Sequence, residues 1–303
     1  MEIAKGIHRI GTGLVNVYLV EEGGEVTIID AGAPGYWGEL PAALGAMGSS
    51  LDKVRSVVLT HGHPDHVGFA ERVRRERHTP IRIHELDAAL ARGEVPNPAK
   101  GFGPFKIRPL LGFLFWGMRH GGLRMKPIRE VVTFGDGATL DVPGSPRVIL
   151  VPGHTPGSAA LHVASQSTLF VGDALATRNV MTGATGPQIS PFTADAKQAV
   201  ESLARLEGID AARSCLATAI PGRAAWTRQS AACERARRRP SDVVDRKEIE
   251  ARGFERLIFF SDAVFAIAII RLYWFVHWGR FQLIERIDAR LVGLNLILTK
   301  EAG

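Results

Sequence analysis

Between residues 7 and about 210, short apolar runs alternate with helical patterns, separated by glycine and proline. "VNVYLV" (15–20) and "VTIID" (26–30) are β-branched runs joined by "EEGG", which predicts a hairpin. "YWGELPAALGAMG" (36–48) has helical spacing and stops at glycine. "VRSVVLT" (54–60) predicts a buried strand, and "DHVGFAERVRRER" (65–77) an amphipathic helix. "IRIH" (81–84) reads as a strand and "ELDAALARG" (85–93) as a short helix closed by glycine. Farther on, "EVVTF", "ATLDV", "RVILVP", "AALHVA" and "STLFVGD" all read as strands. "TADAKQAVESLARLEG" (193–208) predicts a helix with Thr193 as its N-cap. Strands alternating with helices predict an α/β domain over residues 1–212.

Residues 95–127 break this pattern: they are rich in glycine, proline and aromatics and have no clear period. A long insertion of this kind is either a lid over a substrate site or an apolar excursion packed on the core, and both readings stay open.

Composition narrows the class. A chain of 303 residues, 46% hydrophobic and 22% charged, has room for one large globular domain and an appendage. Two cysteines, Cys215 and Cys233, leave no basis for a disulfide framework or a thiolate zinc site, and the expected location is the reducing cytoplasm. The first residues carry no apolar stretch, so no signal peptide is expected. The net charge of +6 is concentrated in 223–256, from Arg223 and Arg228 through Arg235, Arg237, Arg238 and Arg239 to Arg246, Lys247, Arg252 and Arg256. No aromatics are interleaved through "CERARRRP", as base stacking would require. Residues 213–252 therefore read as a solvated basic linker, and no nucleic-acid partner is expected.

Candidate chemistry gathers where strands end. "VVLTHGHPDHVGFAERV" (57–73) holds His61, His63, Asp65 and His66 at the mouth of an apolar strand. Alternation along an extended His61-Gly62-His63 points both imidazoles the same way. Asp65 and His66 follow at the helix start. Imidazole and carboxylate are good zinc ligands, and packing so many together without a cation would set like charges against one another on protonation. "RVILVPGHTPGSAALHV" adds His154 and "TLFVGDALA" adds Asp173, each directly after a strand. His8 and His162 sit in strands and read as packing or surface residues, His78 and His84 flank a predicted surface turn, and His120 is within reach of a substrate only from the insertion.

THxHxDHxG, then GHTPGS, then FxGD, in that order, resembles the metallo-β-lactamase superfamily, nearest its glyoxalase II and lactonase-like hydrolase branches. The resemblance covers residues 7 to about 210. It implies an αββα sandwich with two zinc ions at one edge. It also implies that His61, His63 and His154 hold the first metal, that Asp65 and His66 hold the second, that Asp173 bridges both, and that Asp30 supports the site from beneath. The implied activity is hydrolysis of an ester, thioester or lactone in a small-molecule substrate by a zinc-activated hydroxide, with Asp65 a candidate to carry the proton to the leaving group.

The family's further histidine, in a "PGHG" turn after the helix that ends near 208, is missing: no histidine lies between His162 and His277, and Pro221-Gly222-Arg223 stands where the turn is expected. Arginine stays protonated and does not ligate zinc. A GC-rich coding of the family-like string VLPGHGHPWTGG, read one base out of register, gives SCLATAIPGRA, which is residues 214–224 of this chain. A shift of reading frame near Arg213 is the expectation, and the gene's nucleotide sequence decides it.

In residues 253–303, Arg256-x-x-x-Phe260-Ser261-Asp262 resembles the first helix of the RxxxFSD lysosomal and prokaryotic potassium channel family, and 271–298 resembles a later helix. Asp262 and Arg271 interrupt the apolar run, so a working pore is not expected, whereas membrane association through 253–298 is a reading the sequence allows. Two further readings remain beside the hydrolase: a membrane-associated protein whose metal domain is inert or regulatory, and a non-functional fusion lacking the last metal ligand. No feature of the sequence fixes an oligomeric state.

Overall fold

The computed structural model of the chain describes residues 1–99, 103–122 and 126–216. Seven strands form one sheet in the order β1 (Glu2–Ala4), β2 (Ile7–Gly11), β3 (Asn16–Glu22), β4 (Glu25–Ile29), β5 (Val54–Val58), β6 (Ile81–His84) and β7 (Val132–Phe134). The hairpin β3–β4 turns at Gly23 and Gly24, both in the left-handed region, as "EEGG" requires. A second sheet runs β13–β10–β9–β8, from β8 (Arg147–Leu150), β9 (Ala159–Val163), β10 (Thr168–Gly172) and β13 (Arg213–Leu216). A small ribbon pairs β11 (Ala176–Arg178) with β12 (Thr185–Gln188).

The sheets face one another across an apolar layer in which Ile7, Tyr18, Ile29 and Val58 meet Val148, Leu161, Phe170 and Cys215. The outer face of the large sheet is covered by α1 (Leu40–Ala46), α2 (Pro64–Val67), α3 (Ala70–Arg77), α4 (Ala88–Ala91) and α5 (Ile107–Arg119), with Tyr36, Leu40, Leu44, Phe69 and Trp116 in its core. The small sheet's outer face packs on α6 (Ala196–Ser202) and the turn after it through Leu169, Val171, Leu203 and Leu206. This is the expected αββα sandwich.

Several elements differ from expectation for local reasons. The predicted helix 65–77 is split into α2 and α3 at Gly68, where a Cβ would stand 2.0 Å from the Gly32 carbonyl oxygen. "ATLDV" forms only one bridge, Thr139 to Arg147. The helix predicted for 193–208 starts later, capped by Asp195, whose side chain accepts the Gln198 amide. The insertion 95–127 holds a 13-residue helix, α5. The domain continues past 212 into β13, which pairs in parallel with β10, so 213–216 belong to a sheet and not to a linker. Its end is fixed by the Leu216 carbonyl, which accepts Asn16 Nδ2–H and the Tyr18 hydroxyl. The Pro221-Gly222-Arg223 turn, the rest of the basic stretch and the tail 253–303 lie outside the described residues. No helix among the described residues is long and apolar enough to cross a membrane.

Candidate metal centre

β5 ends at Val58, the chain bends at Thr60 and His61, and His63, itself extended, leads into Pro64, which opens α2. Proline suits that first helical position, because its missing N–H would have no partner there. His61 and His63 come from this segment, His66 from α2, His154 from the loop after β8, and Asp173 from the residue after β10. All four rings are buried, and Asp173 nearly so. Ligand atoms of His61, His63 and His154 lie within 4.8 Å of one another, as do those of His61, His66 and Asp173. Asp173 Oδ2 stands 3.7 Å from His154 Nε2 and 4.0 Å from His66 Nε2. Asp65 lies outside both groups: it sits half-buried in the first turn of α2, where its charge still acts on His63 and His66.

The outward partner of each ring fixes which nitrogen carries hydrogen. Thr60 Oγ1 gives its hydrogen to Asp30, so it accepts from His61 Nδ1 at 3.1 Å. Asn97 Oδ1, which also takes the Ala99 amide, accepts from His63 Nε2. Asp30 Oδ2 accepts from His66 Nδ1 at 3.0 Å. Thr193 Oγ1 spends its hydrogen on the Ser190 carbonyl and accepts from His154 Nδ1. Each ring thus donates away from the centre and turns its other nitrogen inward. His61 Nε2 and His66 Nε2 are buried and find no hydrogen-bond partner among the described residues. His63 Nδ1 and His154 Nε2 face one another at 2.9 Å. Two lone pairs at that distance repel unless a proton or a cation lies between them. The donor set therefore fits one or two divalent metals.

Electrostatics agree at three of the four rings. Burial lowers the His61 ring well below its usual value, helped by the neighbouring imidazoles. Burial and His154 take His63 down to about 4, and burial and His66 take His154 to about 3. Neutral rings are what a metal needs. Burial also opposes charge on His66, but Asp30, with Asp65 and Asp173, outweighs it and lifts that ring to about 10. A metal at its Nε2 must displace that proton.

Asp30, at φ +60°, ties the His66 ring to the start of the loop after β5: its carboxylate also takes the Thr60 amide at 2.8 Å. Asp87 is a support that the sequence did not reveal. It is fully buried and accepts Gly62 N–H at 2.9 Å, Gly157 N–H at 2.7 Å and the Thr155 hydroxyl at 2.6 Å. Burial pushes its carboxyl up against the pull of those bonds. One carboxylate thereby clamps the His61–His63 segment to the His154 loop, and a Cβ on Gly157 would stand 2.7 Å from it. Asn97 and Thr193 were likewise missed, the latter read as a helix cap. No local spacing marks any of the three, because each meets its partner only through the fold. His84, expected on a surface turn, is buried and accepts the Leu86 amide. His120 closes α5 against Tyr36 and Trp116 and serves packing.

The family model of the metallo-beta-lactamase superfamily matches residues 10–218. YobT of Bacillus subtilis (strain 168), an uncharacterized protein, is 34% identical over 220 residues, 67% of this chain and 81% of the relative. YflN of the same organism, named a probable metallo-hydrolase, is 27% identical over 226 residues, 69% of this chain and 82% of the relative. Among solved structures, the metallo-beta-lactamase family protein TTHA1429 from Thermus thermophilus superposes with a TM-score of 0.56 at 24% identity, over 78% of this chain and 81% of that one. TTHA1623, solved in a di-iron-bound form, gives 0.50 at 24% identity over 74% and 96%. At those identities the two structures speak for the fold alone. Sandwich, inward-turned imidazoles and family match agree: this chain belongs to the metallo-β-lactamase superfamily of metallo-hydrolases.

Proposed function

We propose that the protein is a metal-dependent hydrolase that opens an ester, thioester or lactone carbonyl in a small molecule, with zinc as its metal. The observation that carries this reading is the set of four imidazoles that all donate outward and converge inward, two of them with orphaned buried nitrogens. His61, His63 and His154 would hold one ion, and His66, Asp173 and Asp65 would attend a second. Metal so placed lowers the pKa of water and polarises a carbonyl. The chain's own groups do the rest. Asp30 takes the His66 Nδ1–H and keeps the inward nitrogen a donor of electrons. Thr193 and Asn97 hold His154 and His63 in the same sense. Asp65, half-buried at the helix start, lies close enough for its charge to act on His63 and His66, which supports a role in moving a proton to the leaving group.

The test is metal content per chain by elemental mass spectrometry, in the unmodified protein and in His61→Ala, beside a panel of nitrophenyl esters, thioesters and lactones. Two metals, lost in the variant together with turnover, support the dinuclear form. One metal with weak turnover supports a form in which Arg223 has cost the second ion. No metal in the unmodified protein overturns the reading in favour of an inert domain.

A further inference from the structure

We propose that the outer face of α5 is a docking surface for an anionic lipid interface. The helix is apolar around most of its circumference. Its inner side is accounted for: Trp116 is buried edge-on to Tyr36 at 6.2 Å, and Phe113 stacks on Trp116 at 5.7 Å and reaches Phe192 at 6.3 Å. The opposite arc carries Ile107, Leu111, Leu114, Phe115 and Met118, at i, i+4, i+7, i+8 and i+11, which share one stripe of a 3.6-residue helix. These five side chains are between 49% and 63% exposed. A contiguous exposed apolar stripe marks a surface that something covers.

Charge decides what covers it. Residues 95–128 hold Lys100, Lys106, Arg108, Arg119, Arg124 and Lys126, and no aspartate or glutamate. Lys106, Arg108 and Arg119 are exposed, and at 100° per residue the two arginines fall on the same flank of the stripe. A second copy laid against this face would set cation on cation, with no carboxylate of the segment to answer it. Five half-exposed side chains also fall short of the roughly 800 Å² per partner that a stable dimer buries. An anionic bilayer surface matches both features: the apolar side chains enter the acyl boundary while the flanking cations reach headgroup phosphates. The inference needs no metal and stands apart from the hydrolase reading. It nevertheless bears on the site, because Phe192 is followed by Thr193, which holds His154.

The test is co-sedimentation of the full chain with vesicles of phosphatidylcholine, alone or mixed with phosphatidylglycerol. Binding to the mixed vesicles, weakened by salt, is expected. Leu111→Ser with Phe115→Ser should lower that partition at least about tenfold. Arg108→Gln with Arg119→Gln should lower it about fivefold per cation on mixed vesicles and leave binding to neutral ones unchanged. All four positions are exposed, and circular dichroism checks that each variant is folded. Partition unchanged by both variants would place lipid contact elsewhere, 253–298 included, and overturn the proposal. So would absence of vesicle binding, or a dimer in analytical ultracentrifugation that the Leu111→Ser, Phe115→Ser variant breaks.

Discussion

Asp30 takes the Thr60 amide and hydroxyl with its carboxylate and the His66 Nδ1–H with one oxygen of it. Asp30→Asn keeps the shape, and asparagine tolerates the left-handed backbone. If its amide nitrogen faces His66, that ring must shift its hydrogen to Nε2 and lose its inward lone pair. Metal affinity of Asp30→Asn, read by competition with a chromophoric chelator, should fall about 10- to 100-fold while the fold persists. The depressed rings give a second prediction. His63 and His154 stay neutral in the folded chain down to about 4 and about 3, whereas in the unfolded chain they take up protons near 6.5. Chelator-stripped protein therefore loses stability as pH falls below about 6.5, because the unfolded chain takes up protons that burial denies the folded pair. His66 works in the opposite window: its ring is raised, so its contribution is complete below about 6.5 and fades as pH climbs toward about 10. Urea titrations at several pH values check both, and the acid slope should be shallower in His63→Gln. At this scale the five residues that the structure gathers, His61, His63, His66, His154 and Asp173, could be singled out because ligand chemistry is written in residue type and strand-end position, whereas Asp65 falls outside both groups. Asp87 was not, since its three donors come from positions 25 to 70 residues away.

The break between α2 and α3 shows how packing overrides a periodic pattern. Residues 65–77 carry a helical repeat throughout, yet Gly68 presses on the backbone of 32 and 33. That approach is held by two bonds, from the Ala31 amide to the His66 carbonyl and from the Phe69 amide to the Ala31 carbonyl. Gly68→Ala should therefore destabilise by about 3 kcal/mol or more, seen as a lower urea midpoint, and should displace His66 enough to reduce metal content. The strands in "RVILVP", "AALHVA" and "STLFVGD" were readable because they are apolar and bounded by turns. The β11–β12 ribbon was not, because Thr185–Gln188 carries glycine and proline in its interior. β13 was not expected, because the inferred shift of reading frame near Arg213 assigned 213–216 to the linker.

At the scale of the molecule, the layer architecture was available through the family that the order of motifs resembles, and the domain boundary at 212 fell short of β13. A chain ended at residue 212 would lose β13, baring Phe170 and its neighbours in the apolar layer and removing the acceptor shared by Asn16 and Tyr18. Such a chain should aggregate or give a featureless near-ultraviolet spectrum, and a cooperative melt from it would contradict the structural role of β13. The Leu216 carbonyl lies 200 residues from Asn16 along the chain. On the ribosome, at about 5–20 residues per second, that separation means a wait of about 10 to 40 s. For that interval β3 has been made but β13, whose Leu216 carbonyl it bonds to, has not, so the nascent domain must stay unsealed, open to chaperones and proteases, until β13 emerges.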